Sequence, residues 1–136
     1  MPTELSLLVS TILLAILQIA AATFAKRTQD GGLAWGMGPR DTPPPYYTGI
    51  AGRISRAADN LLETLPLFAV LVLAAHLLGR EGRLTYWGCE LFFWSRVVYV
   101  PAYILGIPQT RSIIYTVSLV GLGLLFAAVL PGVHLV

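Results

Sequence analysis

The segment Arg53-Ile54-Ser55-Arg56-Ala57-Ala58-Asp59-Asn60-Leu61-Leu62-Glu63 sets two guanidinium groups, two carboxylates and an amide within three helical turns. At 100° per residue, Arg53, Arg56, Asn60 and Glu63 fall within an arc of roughly 80°, so a helix would carry them on one face. Further along, Arg96, Tyr99 and Tyr103 stand at i, i+3 and i+7, again one face within roughly 60°. A third group follows at Arg111-Ser112-Ile113-Ile114-Tyr115. Guanidinium forks take carboxylates bidentately, a glutamate takes an ammonium, and phenols and asparagine take amides or a thiol. The set therefore suits a ligand with more than one anionic group, one ammonium and further hydrogen-bonding groups.

Glutathione meets that description with two carboxylates, an α-amine, two peptide groups and a thiol. Another small zwitterion or an anionic lipid headgroup would meet it on the same chemical grounds. The residues also admit simpler roles. Arg53 and Asp59 read as headgroup-level or neighbour-pairing side chains, and Tyr99 and Tyr103 could anchor a helix end at the interface.

The elements that must position these groups follow from the charge map. Of 136 residues, 56% are hydrophobic and only 12% charged, about half the charge of a soluble domain. Mean hydropathy is +0.72, which excludes disorder and points to a small integral membrane protein. Residues 5–25 contain no charge, enough to cross a hydrocarbon core of about 30 Å. Glu4 in place of a basic cluster, and a run longer than a signal's apolar region, favour a mature helix over a secretory signal. Further spans are expected at 53–78, 84–105 and 112–130, the third broken or kinked near Pro101. Glycines and prolines between Lys26 and Gly52 argue for a polar loop without helix. The expected fold is all-α, a single transmembrane four-helix domain over residues 1–136.

In a helix centre an Asp or Arg costs about 2.5–3.5 kcal/mol on insertion scales, so Arg56, Asn60 and Glu63 imply a partner or a site. Lys26, Arg27, Arg40, Arg53, Arg56 and Arg111 border the first and third loops, against Arg80 and Arg83 on the opposite side. The excess places loops 1 and 3 in the cytoplasm and both termini outside. All three polar groups then lie toward one membrane surface.

Other chemistries find little support. A net charge of +2 without a basic run interleaved by aromatics is no nucleic-acid footprint. One cysteine, Cys89, precludes an intrachain disulfide and reads as a packing residue. His76 and His134 have no partner at metal-ligand spacing. Trp87, Phe92, Phe93 and Trp94 read as interfacial or packing residues, and the Trp35–Asp41 stretch as a structured turn without chemistry.

The run from Arg53 to Phe68 resembles the Arg-Ala-x-x-Asn-x-x-Glu-x-x-Pro-x-Phe signature of the membrane-associated proteins in eicosanoid and glutathione metabolism, the MAPEG family. Arg56, Ala57, Asn60, Glu63, Pro66 and Phe68 occupy its positions. Tyr99, Tyr103 and the Arg111–Tyr115 segment match weaker family patterns in order, and the Trp35–Asp41 loop resembles bacterial members. Thr64 stands where some members carry a tyrosine, and the stretch from Tyr103 to Arg111 differs slightly in length.

The resemblance implies a homotrimer with glutathione as cosubstrate, bound between subunits near the cytoplasmic side. By it, Arg56, Asn60 and Glu63 would hold the peptide, Tyr99, Tyr103 and Tyr115 would add hydrogen bonds, and Arg111 would face the sulfur as catalytic residue. Arg27 or Lys26 would stand near the peptide's carboxylate or a lipid substrate. It also implies an inner-membrane location if the chain is bacterial, and no metal. Two readings follow: a glutathione transferase or peroxidase acting on a lipophilic electrophile, or a non-catalytic member of the fold that binds a lipid or a partner protein. A transporter would want a pair of broken helices, which the sequence does not offer.

Overall fold

A computed structural model describes residues 1–132. The elements are α1 Thr3–Arg27, α2 Gly32–Met37, α3 Gly49–Leu77, α4 Arg83–Ile104 and α5 Thr110–Val129. The architecture is an all-α membrane bundle of four long helices, and α1, α3 and α5 are each long and apolar enough to cross a membrane. The fourth, α4, has 22 residues, about 33 Å at 1.5 Å per residue. It carries Arg83, Glu90 and Arg96 and packs against α1, α3 and α5. His134 lies outside the described residues.

Lipid offers no hydrophobic drive between helices, so close packing must hold them. Helices α4 and α5 approach closely at two glycines. A Cβ on Gly88 would meet the Gly121 carbonyl at 2.9 Å, and one on Gly121 would meet the Gly88 carbonyl at 2.7 Å. Below the polar groups, Leu61, Phe68 and Val72 of α3 join Leu8 and Ala15 of α1, Cys89 and Phe92 of α4, and Leu122 and Leu125 of α5 in one buried cluster. The Phe68 and Phe92 rings stack with centroids 4.2 Å apart. At the end away from the polar groups, buried Thr85 accepts from the Gly82 N–H and donates to the Glu4 carboxylate, both at 2.8 Å. That joins the first turns of α1 and α4.

Two expectations are corrected. The polar loop contains a helix, α2, because its glycines set the ends of the element instead of preventing it. Gly31 supplies a left-handed φ of 75°, and Gly32 lies so close to the Lys26 carbonyl that a Cβ would stand 2.0 Å away. Trp35 Nε1 donates to the Thr42 carbonyl at 2.8 Å, folding the following chain back over the helix. Of the break or kink expected near Pro101, the break does not occur: α4 runs on to Ile104. Proline deletes one N–H donor, and Arg53 Nη1 donates to the Ile104 carbonyl at 2.9 Å, satisfying the end of the helix.

The start of α3 lies at Gly49 rather than at Arg53. The Gln29 amide donates to the Thr48 carbonyl at 2.9 Å and accepts from the Thr48 N–H at 3.2 Å, fixing the entry to α3 beside the end of α1. From there the helix carries Arg56, Asn60 and Glu63 on successive turns.

Candidate functional site

Six of the eight site residues expected from sequence line one cavity. Arg56, Asn60 and Glu63 come from α3, Tyr99 and Tyr103 from α4, and Arg111 from the first turn of α5, around a volume of about 290 Å³. Asp59, read from sequence as a headgroup or pairing residue, is the seventh lining residue. Its signal was its place, one residue before Asn60 and one turn after Arg56.

The turn between α4 and α5 brings Arg111 back to the site. Gly106 and Gln109 both adopt left-handed backbone, at φ 69° and 66°, and α5 starts at Thr110. The Arg111 guanidinium then stands 5.6 Å from the centre of the Tyr103 ring. Arg56 approaches the same phenol, its Nε donating to the Tyr103 hydroxyl at 2.8 Å. Tyr99 packs beside Tyr103 with ring centroids 5.6 Å apart. Two cations thus converge on one phenol, while the carboxylates of Asp59 and Glu63 line the same cavity.

These charges do not neutralise one another directly. Among the described residues, no ion pair joins Arg56 or Arg111 to Asp59 or Glu63. Glu63 and Arg111 are exposed on the surface of the single chain. The Asn60 Oδ1 atom is buried without a hydrogen-bond donor. An unsatisfied buried acceptor costs about 1–3 kcal/mol, so a ligand N–H that reached this oxygen would be stabilised. Guanidinium groups for carboxylates, carboxylates for an ammonium and an amide oxygen for an N–H fit a peptide-like zwitterion. No group of three or more His, Cys, Asp or Glu side chains is placed to hold a metal ion among the described residues.

Arg96 shares the helical face of Tyr99 but is almost wholly buried, its guanidinium 4.5 Å from the Tyr99 ring centre. It supports that wall of the cavity from behind and does not line it. Tyr115, one turn after Arg111 on α5, is likewise not a lining residue. Arg27, at the end of α1, is exposed and contributes nothing to its own chain's cavity. Neighbouring Lys26 places its ammonium 5.7 Å from the Tyr47 ring centre. Cys89 is buried in the apolar core, away from the polar groups.

The profile of the MAPEG family matches residues 4–131, nearly the whole chain, and the match spans every residue of the cavity. No curated protein matches the chain closely enough for comparison.

Proposed function

The chain belongs to the MAPEG family, and from that premise we propose that the cavity binds glutathione and activates its thiol against a lipophilic electrophile. Membership supports a glutathione-related function in the membrane; the residues of the cavity support the finer reading. The observation that carries it is the juxtaposition of the unpartnered Asn60 Oδ1 with two guanidinium groups and two carboxylates on one small cavity. In this reading Arg56 holds a carboxylate of the peptide, Glu63 its ammonium, and Asn60 accepts one of its N–H groups. Tyr99 and Tyr103 supply hydroxyls along its length.

A free thiol with pKa about 8.5 is only a few per cent thiolate at neutral pH. A cation beside the sulfur favours the anion. Arg111, at the start of α5 and over the Tyr103 ring, takes this role. The thiolate sulfur then bonds to an electrophilic carbon, and the displaced electron pair leaves with the leaving group or enters a conjugated system that is protonated from solvent.

The assembly proposed is a homotrimer, in which the exposed faces of Glu63 and Arg111 meet a neighbouring subunit. Arg27 of that neighbour would supply the basic group that its own chain's cavity lacks, and Tyr115 would support the site through Tyr99. The basic end of the bundle is taken to face the cytoplasm, in the inner membrane if the chain is bacterial. Calorimetric titration of glutathione into the detergent-solubilised protein tests the reading. Saturable binding is expected, and an absence of binding would favour the non-catalytic scaffold.

A further inference from the structure

A second cavity lies on the other side of the α3–α4 pair. It has a volume of about 350 Å³, and its walls include Gln18 and Ala21 of α1, Ala57 of α3, and Val97, Pro101 and Ile104 of α4. No residue is common to this groove and the polar cavity. The separation follows from helix geometry: Arg56 and Asn60 share one face of α3, and Ala57 leaves the helix about 100° from Arg56.

The walls are apolar except for one side chain. Gln18 is 7% exposed, and its Oε1 has no donor. A buried amide oxygen in an apolar wall is costly unless something donates to it. A second acceptor is nearby. Pro101 has no N–H, so the carbonyl of Val97, one turn earlier, lacks its helical donor. Both residues line the groove. Lipid tails would satisfy the apolar walls and leave both oxygens unpaired. A hydroxyl can donate to either carbonyl and can also accept from the Gln18 amide.

We propose that this groove is a binding site for a lipophilic alcohol, an apolar molecule whose hydroxyl pairs with Gln18 or the Val97 carbonyl while its body fills the space between α1 and α4. The size lies near the lower end of small-molecule sites, about 300–1,000 Å³. The proposal is independent of the glutathione reading, because the two cavities share no wall residue.

The test uses a long-chain alcohol carrying a diazirine, and the matching O-methyl ether, each photolysed with the intact protein in detergent. Labelled peptides are then mapped by mass spectrometry. The alcohol should label the turns around Gln18 and Val97 about fivefold more than the ether, the ratio that corresponds to about 1 kcal/mol for one neutral hydrogen bond. Gln18→Leu should reduce that preference, and Ala57→Trp, which fills the groove, should abolish labelling there. Equal labelling of the wild-type groove by alcohol and ether would overturn the proposal, and this comparison requires no variant to fold. Labelling confined to other surfaces would overturn it too. Intersubunit cross-linking of cysteines placed at Leu17 and Val100 would overturn it by showing that a second copy fills the groove.

Discussion

Arg56 Nε donates to the hydroxyl of Tyr103 at 2.8 Å across α3 and α4, joining the residues that line two walls of the polar cavity. The bond holds an arginine that would otherwise sample many rotamers, and it fixes a phenol that the Arg111 guanidinium also approaches at 5.6 Å from the ring centre. Tyr103→Phe removes the acceptor while keeping the ring. A hydrogen bond to a charged group contributes about 1.5–3 kcal/mol, part of which serves to preorganise Arg56. Glutathione should bind about tenfold more weakly, about 1.4 kcal/mol, in a calorimetric titration. Unchanged affinity would remove Arg56 from the ligand's grip.

Glu63→Ala should weaken glutathione binding further. It strips the cavity of a carboxylate while both guanidinium groups remain, and the ligand's ammonium loses its counter-charge. Truncating one partner of a desolvated charge pair costs about 2–5 kcal/mol. The competing role is structural, so the variant is first checked for an unchanged elution profile. A variant that elutes like wild type and binds glutathione equally well would refute the ligand role.

The arrangement of polar groups was legible because helical spacing is rigid. Once the α3 run is helical, Arg56, Asn60 and Glu63 must share a face, and Tyr99 and Tyr103 must do likewise on α4. Asp59 was missed because it lies about 40° beyond Glu63, just outside that arc, whereas the cavity wraps around α3 far enough to include it. Helix α2 was missed because glycine-rich punctuation reads as loop, while Gly32 serves close approach to Lys26. Arg53 lies on the ligand-like arc, yet it holds the Ile104 carbonyl, a contact across fifty residues that spacing cannot reveal. The Gly88–Gly121 crossing was equally hidden, since one glycine in α4 and a Gly-Leu-Gly run in α5 carry no mark of facing one another.

That crossing sets α5, and with it Arg111, against α4. Gly121→Ala should lower the thermal midpoint in detergent, although alanine is favoured over glycine in a helix by about 1 kcal/mol. The added methyl would stand 2.7 Å from the Gly88 carbonyl and 3.0 Å from the Phe92 nitrogen, and overpacking costs about 1–3 kcal/mol. Gly123→Ala meets nothing within 4 Å and should hold or raise the midpoint. A midpoint for Gly121→Ala at or above that of Gly123→Ala would contradict the close crossing.

The homotrimer is expected from the same charges. Glu63 and Arg111 are exposed on the isolated chain, and Glu63 lies midway along α3, where a charge facing lipid costs about 2.5–3.5 kcal/mol on insertion scales. A neighbouring subunit is the cover available to both. Native mass measurement in mild detergent should find three copies, and a monomer alone would contradict the proposed assembly.

The central claim is that this cavity binds glutathione and turns its thiol into thiolate, and ultraviolet thiolate absorbance measures both at once. Glutathione is added to wild type and to Arg111→Ala across a pH series, with matched buffer blanks. Wild type should develop saturable thiolate absorbance at neutral pH, its titration shifted well below the free thiol's value of about 8.5. Arg111→Ala should retain binding through Arg56 and Glu63 while its thiol titrates close to the free value. A wild-type titration that coincides with free glutathione would contradict the account at its centre.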